Sequence, residues 1–135
     1  KDDLKPETLT LDLVNAPDIA QTIAVTCFGL SIGCHLTGLH TLKIKETDRL
    51  EAMKTELLKF GAAISVTGKA LTLRPSKIGQ GKVVIDTYND HRMAMAFGPL
   101  AMKTVFAINN AEVVSKSYPD FWNDFKKLNF SVQEL

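Results

Sequence analysis

The chain has 135 residues, of which 45% are hydrophobic and 23% charged, the composition of an ordinary globular domain. Sixteen Lys and Arg against fifteen Asp and Glu leave a formal charge of +1, which excludes a nucleic-acid binder that works by neutralising many phosphates, so any anion site must be local. The most apolar stretch, Ile19 to Leu36, is interrupted by Gln21, Thr22, Thr26, Ser31 and His35 and reads as helix and strand instead of a membrane span.

The first residues, Lys1-Asp2-Asp3-Leu4-Lys5-Pro6, hold neither an initiating Met nor an apolar signal core. Two cysteines, Cys27 and Cys34, are too few for a disulfide scaffold, and a cytoplasmic setting is the expectation. Thr8 to Val14 alternates Leu9, Leu11 and Leu13 with polar partners and predicts a strand. Asn15 then reads as the N-cap of a helix with Pro17 in its first turn and Asp18 at N3, running to Leu30. Cys34 to Leu39 predicts a second strand. Leu50, Met53, Leu57 and Leu58 predict a helix over Thr47–Phe60, stopped by Gly61, with Glu51 and Glu56 on its other face.

Ala63–Val66 and Ala70–Leu73 flank Thr67-Gly68-Lys69 and predict a hairpin, and Pro75 to Gly81 predicts a loop before a strand at Val83–Ile85. Asn89 reads as the cap of a helix reaching about Met102, followed by a strand at Val105–Ile108. Ser117 and Asp120 read as a capping box opening a helix over Pro119–Leu128, with a last strand near Phe130–Val132.

The order of elements repeats. Asn15, Asp18 and Ala24 correspond to Asn89, Asp90 and Ala96, and Lys45 and Asp48 correspond to Lys116 and Asp120. The expectation is an α/β fold of two related units, about 8–74 and 82–135, each with two helices on one side of a mixed sheet.

Cations recur where they are electrostatically disfavoured, at predicted helix starts. Lys43, Lys45 and Arg49 surround one, His91 and Arg92 follow Asn89, and Lys116 precedes Ser117. Singly, Lys45 or Lys116 reads equally as a solvated surface lysine, and Arg49 as a partner of Asp48 or Glu46. Their recurrence at matched positions points to an anion, which helix N-termini and basic side chains together attract. Asp18 and Glu46 beside them read either as a helix cap and a dipole partner or as an acid/base pair. His35, His40 and Cys34 lack a zinc spacing, and Phe121, Trp122 and Phe125 read as packing.

The runs Lys45-Glu46-Thr47-Asp48-Arg49 with Leu50-Glu51-Ala52-Met53, and Tyr88-Asn89-Asp90-His91-Arg92-Met93-Ala94-Met95, closely resemble the enolpyruvyl transferase family, in the branch that acts on 3-phosphoshikimate. Pro17-Asp18-Ile19-Ala20 and Lys116-Ser117-Tyr118-Pro119-Asp120-Phe121-Trp122 fit the same pattern in the same order. The resemblance implies repeated βαβαββ units in one of two similar domains, with this chain as the C-terminal portion of an enzyme roughly three times as long, lacking the N-terminal part and inactive alone.

The implied reaction moves the enolpyruvyl group of phosphoenolpyruvate to the 5-hydroxyl of 3-phosphoshikimate and releases phosphate. By match, Asp18 is the general base and a 3-phosphoshikimate ligand with Lys45, and Glu46 is the acid that protonates the vinyl methylene. Arg49, Arg92, Lys116 and His91 belong to the phosphoenolpyruvate site. Thr41 stands where the family often has an Asn that touches the shikimate phosphate, and Lys43 where it often has Arg. The resemblance implies no metal and no cofactor, and self-association of a truncated chain through apolar faces left exposed. The alternatives are an enzyme like the UDP-N-acetylglucosamine enolpyruvyl transferase, which lacks the Lys45–Arg49 run, and a non-catalytic anion-binding or assembly module.

Overall fold

The computed structural model describes residues 8–134, so the Lys1–Pro6 segment and the final residue of the second unit lie outside the described residues. Alternation in Thr8–Asp12 forms β1, with Leu11 packed on the core and Leu13 buried just past its end. A 3-10 turn over Pro17–Ile19 then leads into α1, Ala20–Gly29. Asn15 does not cap it. The residue before the turn is Ala16, without a side-chain bond, and Pro17 opens the turn with a preset φ and no N–H to be satisfied.

β2, Gly33–Thr37, pairs parallel to β1 from Thr8↔Gly33 to Asp12↔Thr37. Gly38 follows at φ +75°, where a Cβ would stand 2.5 Å from the Val14 nitrogen, so glycine is required for the chain to leave β2 beside the end of β1. It swings into a 3-10 segment, His40–Ile44, that delivers Lys45.

α2, Arg49–Leu58, starts later than its pattern predicts because Asp48 is the N-cap, its Oδ1 accepting from the Glu51 N–H at 3.2 Å. Leu50, Met53 and Leu57 face the core. Glu56 does not share the solvent face with Glu51; it is fully buried because partners from the second half of the chain close over it. β3, Ala63–Val66, and β4, Leu71–Arg74, form the expected antiparallel hairpin, and β4 pairs with β2 to give a mixed sheet in the order β1-β2-β4-β3. α1 packs on β2 and α2 on β3.

The second half is leaner than expected. β5, Val84–Ile85, and β6, Ala107–Ile108, make a parallel pair and not a mixed sheet. α3, His91–Phe97, connects them; Asp90 caps it through Oδ1 and the Arg92 N–H at 2.9 Å, whereas Asn89 is left-handed at φ 56°. The α-helix gives way to a 3-10 segment, Gly98–Met102, well before Met102, since Pro99 has no N–H to return to the Met95 carbonyl.

The predicted capping box is not formed. Ser117 ends a 3-10 helix, Ala111–Lys116, with its N–H on the Val114 carbonyl, and Asp120 makes no side-chain cap for α4, Phe121–Lys126. Phe130–Val132 is not a strand: the Phe130 ring stacks on Phe125 with centroids 4.0 Å apart, which draws the tail against α4 instead of a sheet.

One apolar core joins both halves. Phe60, just past α2, lies between the rings of Phe28 at 6.2 Å, Phe97 at 6.0 Å and Phe106 at 5.5 Å. Cys27 and Cys34 are buried, reduced thiols, and burial pushes Cys34 up to about 12. Trp122 packs in an aromatic group with Phe121 and Phe125 and donates its Nε1–H to the Ala111 carbonyl at 2.8 Å. Among the described residues no helix is long and apolar enough to cross a membrane.

If Phe60 is the joint between the halves, Phe60→Ala should destabilise the fold by about 3–5 kcal/mol. Urea unfolding measures this, and a loss below about 1 kcal/mol would mean that the aromatic contacts are not what holds the halves together.

Candidate active site

The starts of α1, α2 and α3 converge, and one guanidinium lies where they meet. Arg49, the first residue of α2, is 2% exposed although it is charged. Its Nε donates to Asp90 Oδ2 at 2.8 Å and its Nη2 to Asp90 Oδ1 at 3.2 Å, a two-point pairing with a carboxylate of 0% exposure. Nη2 also donates to Glu46 Oε1 at 2.9 Å, and Nη1 to Asp18 Oδ1 at 3.1 Å. Four of the five guanidinium N–H groups are therefore committed to carboxylates from three separate segments.

The remaining cations ring the exposed side of this cluster. Lys45 Nζ lies 3.6 Å and Arg92 Nη2 4.0 Å from Asp18, and both side chains are partly open to solvent. Lys116, at the end of its 3-10 helix, donates to the Asn89 carbonyl. His91 Nδ1 is 3.4 Å from Glu46 Oε2. Burial acts to raise the Glu46 pKa, but its own backbone N–H and the charges of Arg49, His91 and Lys116 outweigh it and hold the carboxyl below the usual range. Those charges favour the ionised form of Glu46.

The structure brings Asp18, Lys45, Glu46, Arg49, His91 and Arg92 into one network, with Lys116 at its edge. Thr41 is not tied into it by a hydrogen bond; its hydroxyl is buried without a partner among the described residues. Among the described residues Lys43 pairs with Asp48 alone, at 3.9 Å. His35 is accounted for by a cross-strand contact to the Thr72 hydroxyl at 2.8 Å. Lys116 does not stand at a helix start, since Ser117 terminates a helix instead of opening one.

Asp90 is the member of the network that the sequence pattern underrated. Its correspondence with Asp18 was the available signal, and the fold turns that correspondence into contact, because both carboxylates bind the same arginine. Glu46, Asp90 and His91 also place potential metal-ligand atoms within 4.8 Å of one another. Both carboxylates are already engaged by Arg49, so the group is an ion-pair network and not a free ligand set. What the arrangement offers chemically is a fixed, partly desolvated set of cations beside two accessible carboxylates, suited to an anionic ligand that must exchange protons.

Comparison with known proteins bears on the family and the fold. The model of the family described as EPSP synthase (3-phosphoshikimate 1-carboxyvinyltransferase) matches residues 3–125. The 3-phosphoshikimate 1-carboxyvinyltransferase of Bacteroides fragilis (strain YCH46) is 46% identical over 130 residues, covering 94% of this chain and 32% of that protein. The protein of the same name from Shewanella pealeana is 39% identical over 125 residues, 92% of this chain and 29% of its own. Among solved structures, the EPSP synthase from Acinetobacter baumannii superposes with a TM-score of 0.71 at 23% identity, over 84% of this chain and 27% of that one, a likeness of fold. The chain spans about a third of the length of the curated relatives it matches.

The burial contrast around Arg49 predicts unequal costs. Arg49→Met strands the buried Asp90 carboxylate and should destabilise the protein by about 3–5 kcal/mol. Asp18→Asn and Glu46→Gln, whose side chains are 40% and 36% exposed, should each cost less than about 1 kcal/mol. Equal shifts of the three urea midpoints would contradict the view that Asp90 is the structural partner and the other two are the available ones.

Proposed function

The chain belongs to the EPSP synthase family, and from that premise we propose that it forms part of an enzyme that transfers the enolpyruvyl group of phosphoenolpyruvate to the 5-hydroxyl of 3-phosphoshikimate with release of phosphate. The observation that carries this is the Arg49 network, which sets two solvent-accessible carboxylates among several cations at one place.

In this reading Asp18 takes the proton of the attacking hydroxyl as its oxygen bonds to the central carbon of the enolpyruvyl group. Glu46 gives a proton to the terminal methylene in the same addition. The resulting tetrahedral adduct then loses phosphate and one methyl proton, which restores the vinyl group on the new ether. Lys45, with Thr41 nearby in sequence, serves the 3-phosphoshikimate side, and the unpartnered Thr41 hydroxyl is free to take up a bond there. Arg92, Lys116 and His91 serve phosphoenolpyruvate. Arg49 acts chiefly through the carboxylates it orients, since only one of its N–H groups is left for substrate. Charge that develops during addition is then met by donors already held in place.

Glu46 must gain a proton to act as the acid. A phosphoenolpyruvate anion beside His91 and Lys116 offsets cations that depress its carboxyl, and raises the pKa. Since the pKa rises on binding, binding takes up a proton and tightens as pH falls towards the raised value.

In a protein of full relative length carrying this segment, Asp18→Asn and Glu46→Gln should each lower kcat by roughly 10²-fold or more. Unchanged turnover would favour the non-catalytic anion module. Calorimetry of phosphoenolpyruvate binding in two buffers of different ionisation enthalpy should show proton uptake that is reduced in Glu46→Gln; identical uptake in both proteins would remove Glu46 as the acid.

A further inference from the structure

Arg49 and Glu56 are separated by two turns of α2, which places both on one face of the helix. Both reach into the same piece of the second half, residues 84–92. Glu56 is a carboxylate at 0% exposure, a costly placement that only well-made partners offset. Its Oε2 accepts the Tyr88 hydroxyl at 2.5 Å, and its Oε1 accepts the Asp86 N–H at 3.0 Å and Lys59 Nζ at 2.6 Å. Lys59 in turn donates to the Val84 carbonyl at 3.0 Å.

What this carboxylate holds is conformationally disfavoured. Tyr88 and Asn89 are consecutive non-glycine residues at φ 57° and 56°, in the left-handed region that L side chains rarely adopt and that persists only where the surroundings over-determine it. The restraints are visible on both sides. Thr87 donates its hydroxyl to the Asn109 carbonyl at 3.0 Å, the Asp90 N–H closes on the Thr87 carbonyl at 2.8 Å, and Lys116 holds the Asn89 carbonyl. The chain leaves this turn directly into Asp90, His91 and Arg92. A small rotation at Tyr88 would therefore be carried straight into the aim of the Arg92 side chain.

We propose that Glu56 is a positioning residue for the anion site: through the Tyr88 hydroxyl it fixes the left-handed turn that sets Asp90 against Arg49 and Arg92 beside Asp18. It touches no substrate. α2 thus grips the segment at two points, Arg49 on Asp90 and Glu56 on Tyr88, and the two grips define where His91 and Arg92 stand relative to Asp18 and Glu46. The naming of the anion as phosphoenolpyruvate rests on the function proposed above; the positioning itself does not.

Glu56→Ala would orphan three donors at once and is expected to unfold the protein, so the informative variants are Tyr88→Phe, which deletes only the hydroxyl, and Glu56→Gln, whose oxygen can keep the Asp86 N–H and Lys59 while its NH2 donates to the Tyr88 hydroxyl oxygen. In the full-length protein, Tyr88→Phe should raise the KM for phosphoenolpyruvate about tenfold while kcat changes by less than about threefold, and Glu56→Gln should stay within about threefold of the parent in both. Hydrogen exchange at the Asp90 and Arg92 amides should accelerate about tenfold in Tyr88→Phe with the α2 amides unchanged, and not in Glu56→Gln. A folded Tyr88→Phe protein with unaltered KM, or with unaltered exchange at those amides, overturns the proposal. If the parent protein turns over neither substrate, the function proposed above fails, and the exchange measurement alone still decides whether Glu56 positions the turn.

Discussion

A buried guanidinium is the constraint on which the rest of this structure depends. Arg49 has lost its water and cannot lose its charge, so its fold is stable only if carboxylates arrive at fixed distances and angles. They arrive from three places: Asp18 from the turn before α1, Glu46 from the bend before α2, and Asp90 from the cap of α3. The geometry of the site and the docking of the two halves of the chain are consequently one problem. The aromatic contacts of Phe60 with Phe97 and Phe106 supply the apolar adhesion beneath it, and the Arg49–Asp90 pair supplies the register.

Division of labour follows from exposure. Asp90 is wholly buried and spends its two oxygens on Arg49 and on the α3 cap, which leaves it structural. Asp18 and Glu46 keep one side open to solvent and carry the same pairing with room for a ligand. Lys45, Arg92 and Lys116 add positive charge around them while staying partly open to solvent, Lys45 and Arg92 facing Asp18 at 3.6 and 4.0 Å. In the function proposed above the chain supplies one wall of the site; it spans about a third of the length of the curated relatives it matches.

Much of this was legible in the residues. The alternation of Leu9, Leu11 and Leu13, the α2 periodicity and the hairpin around Gly68 lie close to where local rules put them, because each is decided by side chains within a few positions of one another. The basic clusters were legible for the same reason. Glu56 was not: helical periodicity gave it a solvent face, and only Tyr88, Asp86 and Lys59 make its burial tolerable. The caps failed in a related way. Asn15, Asn89 and Ser117 are good N-cap residues by type, but Pro17, a left-handed backbone and the end of a 3-10 helix decide those three sites. The expected final strand lost to an aromatic stack of Phe130 on Phe125, a contact without a short-range signature.

We propose that the Arg49 network forms part of a site for enolpyruvyl transfer. The most direct measurement is phosphate release from phosphoenolpyruvate in the presence of 3-phosphoshikimate, with the full-length protein and the 135-residue chain assayed side by side. The account predicts steady release by the full-length protein, dependent on both substrates, and none by the 135-residue chain. A well-folded full-length protein that releases no phosphate would contradict it.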